Sequence, residues 1–228
     1  MIDQIIIGDK ASFDDFGASV AARAYKPPQK KSVKETVPFS NITHDFTAIN
    51  GEIYWEESEL EYVFEMIAPT PERLEAMKTA FSTWVMNVIE QELHDPIIPD
   101  YHYIATYDDM SWEDDEGLEK TTVSVVFTAY PYKIANFARE YTFVIEPNSW
   151  NTVWLENNSS HRITPTVTCD GTIHIRYDDM PHGEAFTFNS GTTINEDFKL
   201  NVGAVEIRPI NYNSEAVKLT IQFREEVF

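Results

Sequence analysis

The chain is poor in several residue types, and each shortage excludes something. One cysteine, Cys169, stands in 228 residues, so no internal disulfide forms and the fold rests on packing; a reducing site of synthesis is expected. Glycines number 8, none of them in a glycine-rich phosphate loop, and no G-x-S-x-G nucleophile motif occurs. No stretch approaches the roughly 20 apolar residues of a membrane helix. The N-terminal triplet Ile5-Ile6-Ile7 is too short for a signal and follows Asp3, so a soluble chain that is not exported by its own signal is expected, with no membrane partner. Basic residues are the largest shortage: 17 against 38 acids, a net charge of −21. Lys and Arg at phosphates supply most nucleic-acid affinity, so stable nucleic-acid binding is excluded.

What is present is enough for packed cores. Hydrophobic residues make up 43% of the chain, too many for a disordered tail, and its length suits two cores of about 100 residues each. Residues 53–68 alternate, with Leu60, Tyr62, Phe64 and Met66 on one face and Glu59, Glu61 and Glu65 on the other, which predicts a half-buried strand with an acidic outer face. Thr70 and Pro71 open a helix predicted over 71–93, as N-cap and first-turn proline. Its apolar stripe is Leu74, Met77, Phe81, Trp84, Val85 and Val88, with Phe81 and Trp84 expected to be buried. Pro27-Pro28 marks a loop or edge ribbon.

Residues 101–107 and 120–129 read as two strands flanking an acid-rich turn. From Arg139 onward, short strands at regular spacing predict a β-sandwich or jelly roll, at 141–146, 152–156, 164–169, 172–177, 185–188, 197–201, 205–208 and 217–224. Asp170-Gly171 predicts a two-residue hairpin turn. The change in texture sets a domain boundary near 134–139, giving domains 1–136 and 137–228. The expected class is mainly β with one long helix, an α+β N-terminal domain built as a split β-barrel or sandwich.

Chemical motifs are sparse. Asp178-Asp179 offers a glycosidase-like acid pair, though one such pair is expected by chance among 38 acids. His102 with Asp108 and Asp109, or His174 with His182, offers metal ligands without the tight spacing of a zinc site. Residues 113–119 lack the alternating ligands of a calcium loop. Asn41 and Asn158 lie in glycosylation sequons, without meaning unless the chain is secreted. Neither an enzyme nor a bound cofactor is expected. Trp150 and Trp154, four apart and so on one face of a regular strand, would suit sugar stacking; the alternative is that they are core residues. The hairpin acids Asp108, Asp109, Glu113, Asp114 and Asp115 would by themselves suit a solvated tip.

Val37-Pro38, Asp45-Phe46-Thr47, Gly51-Glu52, Tyr54-Trp55-Glu56 and Leu60-Glu61-Tyr62-Val63-Phe64, then Thr70-Pro71-Glu72, Tyr101-His102-Tyr103 and Pro131-Tyr132-Lys133, fall in the order found in the distal tail protein (Dit) family of long-tailed bacteriophages and prophages of Gram-positive hosts. The first 135 or so residues thus resemble that family. Ser58 and Asp108-Asp109-Met110 depart from its usual arginine and Gly-Arg pair, and the C-terminal match rests on a late strand pattern and on Lys199-Leu200-Asn201-Val202-Gly203. The resemblance implies a C-terminal galectin-like β-sandwich. It also implies a structural virion protein, made in the bacterial cytoplasm, that forms a homo-hexameric hub ring, in which Asp108, Asp109, Glu113, Asp114 and Asp115 would wall a channel past which DNA slides. Tail tube protein, tail-tip or tail-associated protein and receptor-binding protein would be its partners. A carbohydrate-binding module is the alternative.

Overall fold

A computed structural model describes residues 3–36, 39, 43–48, 52–115, 119–148, 151–177 and 185–228. The chain divides into two units, Met1–Lys133 with Phe228 and Ile134–Val227.

Alternation of apolar and charged side chains builds the first unit. Its elements are β1 (Ile6–Ile7), β2 (Lys10–Ala11), β3 (Ala18–Lys26), β4 (Lys34–Thr36), β5 (Thr43–Asp45), β6 (Ser58–Ile67), α1 (Pro71–Val85), β7 (Gln91–His94), β8 (Tyr101–Asp114) and β9 (Lys120–Ala129). Seven of the strands form one path in the order β2-β1-β7-β8-β9-β6-β3, every neighbour antiparallel; β4 and β5 pair separately. On β6, Leu60, Tyr62, Phe64 and Met66 point into the core, where they meet Val123, Val125 and Phe127 of β9.

The helix α1 lies on this apolar face. The Thr70 hydroxyl accepts a hydrogen bond from the Arg73 backbone N–H, and Pro71 fills the first turn. Leu74, Phe81 and Val85 are buried, and the Phe81 ring meets Phe64 edge-on at 5.2 Å. Trp84 is only partly buried, at the shoulder of the core and stacked on Phe16 at 4.6 Å. The helix stops at Val85, not at 93: the Asn87 and Val88 N–H groups donate to the Trp84 and Val85 carbonyls in a tightened last turn, and Glu90 adopts a φ of 48°. That turn redirects the chain, so Leu93 reaches the core from a strand.

A charged knot ties the unit's first residues to the sheet. Arg23 donates to both Asp3 and Asp95, and the Tyr62 hydroxyl donates to Asp95 at 3.1 Å. The hydrogen bond from Arg23 holds the Asp3 carboxyl below the usual range, while burial, with Asp95 beside it, raises Tyr62. Burial also pushes Tyr103 up to about 12, helped by Tyr25 and Asp95.

The second unit is wound from both ends inward. After β10 (Lys133–Ala135) come β11 (Arg139–Ile145), β12 (Val153–Asn157), β13 (Thr166–Cys169), β14 (Ile173–Tyr177), β15 (Phe186–Phe188), β16 (Gly191–Ile194), β17 (Gly203–Ile210), β18 (Val217–Phe223) and β19 (Glu226–Val227). The pairs β11–β18, β12–β17, β13–β16 and β14–β15 are nested, first with last. The result is two four-stranded antiparallel sheets, β11-β18-β13-β16 and β12-β17-β14-β15, the winding of a jelly roll. Val167, Ile175, Phe198, Ile207, Leu219 and Ile221 are fully buried in a common core.

Two expectations fail here. Asp170-Gly171 is no hairpin turn, because β13 and β14 belong to different sheets and the dipeptide crosses between them. Asp170 accepts the Lys218 N–H, and a Cβ on Gly171 would lie 2.7 Å from Val217 Cγ2, so glycine is needed there for close approach. Residues 197–201 form no strand: the Asn195 side chain accepts the Asp197 N–H in a local turn, while Leu200 makes an isolated bridge to Ile163. The strand lies earlier, at β16.

Candidate functional site

The first unit's sheet has two unlike faces, and its outer face gathers acids that are far apart in sequence. Side chains alternate along β6, so Glu59, Glu61 and Glu65 stand opposite the core face. Register then places Glu61 and Asp109 on either side of Val126, and Glu65 and Glu113 on either side of Thr122. Between them β9 offers Thr122, Ser124 and Thr128. Ser124 donates to Glu61 at 2.7 Å, and Lys120 and Lys26 pair with Glu65 and Glu59 at 3.1 and 3.2 Å.

A bulge decides which of the candidate acids join this face. The pairing of β8 with β9 slips between Tyr107 and Asp109, so Asp108 is the extra residue. Before the slip Tyr103 and Ala105 face the core; after it Met110 and Trp112 do. Asp109, Ser111 and Glu113 therefore share the outer face, and Asp108 is also exposed. Asp114 points the other way. It accepts from Lys78 of α1 at 2.9 Å and from Thr121 at 2.7 Å, which lowers its pKa. Asp115 is exposed just past the strand and donates its N–H to the Lys120 carbonyl. The expected acid-rich turn at 108–116 is thus mostly strand, and the five acids divide between two directions.

The other sequence candidates fare differently. The pairing of His102 with Asp108 and Asp109 does not occur: six residues of strand span roughly 20 Å, and His102 is buried where both aspartates are exposed. Instead His102 meets His94 and Glu92, a grouping whose signal was hidden in the register of β7 against β8. His174 bonds Thr187 at 2.9 Å. Its suggested partner His182, the pair Asp178-Asp179, Asn41, Val37-Pro38, Gly51, residues 116–118 and Trp150 lie outside the described residues. Trp154 stands on β12 opposite Glu206, its side chain 59% exposed. Cys169 is buried on β13, its thiol raised by that burial and donating to the Asn189 carbonyl. No described helix is long and apolar enough to cross a membrane.

A mainly antiparallel, two-unit protein whose first unit carries one helix and whose second is a double-sheet sandwich defines a structural class. Within it, the chain has a Dit-like fold. The crystal structure of the SPP1 Dit (gp 19.1) protein, a paradigm of the hub adsorption apparatus in Gram-positive-infecting phages, superposes with a TM-score of 0.69, covering 98% of this chain and 99% of that one at 11% identity. A de novo designed double-stranded β-helix matches 39% of this chain and 97% of its own at 17% identity, with a TM-score of 0.26. No protein-family model and no curated protein matches the sequence.

Proposed function

We propose that the protein is a structural component of a phage tail: the hub at its distal end, joining the tail tube to tail-tip or baseplate proteins as a homo-hexameric ring. The observation that carries this reading is the likeness to SPP1 Dit, which runs end to end on both chains. In the ring, residues 1–136 pair around a channel, and residues 137–228 form a galectin-like sandwich. The acidic outer face of the first unit supports a channel wall, with Asp109 and Glu113 joined by Glu59, Glu61 and Glu65; Asp108 and Asp115 are exposed nearby, while Asp114 is engaged by Lys78. Such a wall repels passing DNA instead of binding it. Six copies at −21 each also repel one another, so ring closure is salt-dependent.

Light scattering over a salt series, followed by negative-stain imaging, tests the assembly. Six copies of 26.3 kDa with a central hole are expected, and a monomer at every salt and concentration contradicts the ring. A carbohydrate-binding role in host adsorption is the second reading, favoured by the exposed Trp154 with Trp150 as its suggested partner. Rings stack on such surfaces beside polar groups. Glycan-array binding that Trp154→Ala abolishes supports it, and an empty array removes it.

A further inference from the structure

We propose that Glu92, His94 and His102 bind a divalent transition-metal ion of the zinc type, which clamps β7 to β8. Glu92 and His94 are two apart on β7 and so project from one face. The antiparallel register Glu92↔Ile104, Leu93↔Tyr103 brings His102 directly opposite His94 on that same face. Their rings lie 5.1 Å apart. Both Nε2 atoms converge on one carboxylate: His94 is 3.3 Å from one Glu92 oxygen and His102 is 3.8 Å from the other. The three ligand atoms lie within 4.8 Å of one another.

These distances suit a small ion. With metal–ligand bonds of about 2.0–2.1 Å, a tetrahedral site spaces its ligand atoms by about 3.3–3.4 Å. The His94–Glu92 contact has that spacing; rotation of the exposed Glu92 side chain shortens its 3.8 Å reach to His102, and rotation of the half-buried His94 ring sets the spacing of the two imidazoles. The ligand types also select. Two imidazoles with one carboxylate favour zinc, cobalt, nickel or copper, whereas magnesium and calcium prefer all-oxygen shells. Burial orders the set, with His102 1% exposed, His94 intermediate and Glu92 open to solvent. Three protein ligands then leave a fourth position for water or another donor. β7 has four residues and holds β1 to β8, so the clamp steadies that end of the sheet. This site is independent of the tail-hub reading.

The test uses the full chain, stripped with a chelator and titrated with Co²⁺ and then Zn²⁺. A one-to-one complex with visible cobalt d–d bands that zinc displaces is expected. His94→Ala and Glu92→Gln, both at accessible positions, weaken zinc binding by at least about tenfold, the scale on which even an outer-shell partner registers. His174→Ala in the second unit leaves it unchanged. Near-UV circular dichroism checks that the variants fold. Absence of a one-to-one site in the parent chain, or unchanged binding in a folded His94→Ala chain, overturns the proposal and leaves only a hydrogen-bonded His–Glu–His cluster.

Discussion

The two units solve the problem of a β-sheet's second face in opposite ways. The first lays one helix on one face of its sheet and sets charged side chains on the other, which carries Glu59, Glu61, Glu65, Asp109 and Glu113. The second folds two four-stranded sheets onto a shared core, so the inward side of each is filled by its counterpart. Their buried polar groups differ to match. The first uses the ionic knot of Arg23, Asp3, Asp95 and Tyr62. The second adds buried amides to its own ion pair of Arg139 with Glu225: Asn211 donates to the Ile145 and Glu215 carbonyls, and Asn157 to those of Leu200 and Asn201. A sheet face turned away from the core can be patterned for charge without disturbing it, whereas a face inside a sandwich cannot.

The largest effects come from removing each core's central ring. Phe81→Ala in the first unit and Phe198→Ala in the second, both at 0% exposure, each cost about 3–5 kcal/mol. Hydrogen exchange read unit by unit checks this, and loss of protection should concentrate in the unit that carries the change. Equal loss in both breaks the comparison. Next is Asp95→Ala, which leaves Arg23 with only Asp3 and strips the Tyr62 hydroxyl of its acceptor. The cost is about 3 kcal/mol, the low end for breaking a buried pair, seen as a shift in denaturation midpoint.

The same knot sets an alkaline limit. Tyr62 and Tyr103 are raised in the folded state, and an unfolded tyrosine ionises near about 10. Their contribution is therefore complete below pH 10. It falls as pH rises through about 10 to 12, because the folded chain then binds more protons than the unfolded one. Stability measured over that window should decline, with a flatter slope in Tyr103→Phe. Smaller still, Gly171→Ala forces a methyl to within 2.7 Å of Val217, and overpacking of this kind costs about 1–3 kcal/mol. An unchanged melting temperature would show that the crossover has room to shift.

Legibility followed how local each cue was. The face of β6, the N-cap at Thr70 and the strands at 120–129 and 217–224 depend only on neighbouring residues, and the structure carries them as read. The end of α1 was misplaced because Val88 and Leu93 continue an apolar rhythm even though Glu90 has turned the chain. Asp170-Gly171 looks like a hairpin in isolation, but the nested order of the strands sends its flanks to different sheets. At the candidate face, Asp109 and Glu113 were legible as acids but not as members of one surface with Glu61 and Glu65. Their direction depends on the bulge at Asp108, and alternation alone puts the bulge nowhere. The grouping of Glu92, His94 and His102 was equally hidden, since only the pairing of β7 with β8 reveals it.

A cryo-electron structure of the assembled particle bears most directly on the proposed hub. The expected result is a six-fold ring whose channel is walled by the first unit's outer face, with Glu61, Asp109 and Glu113 turned toward the axis. A ring with a neutral or basic channel wall, or with that face turned outward, would contradict it.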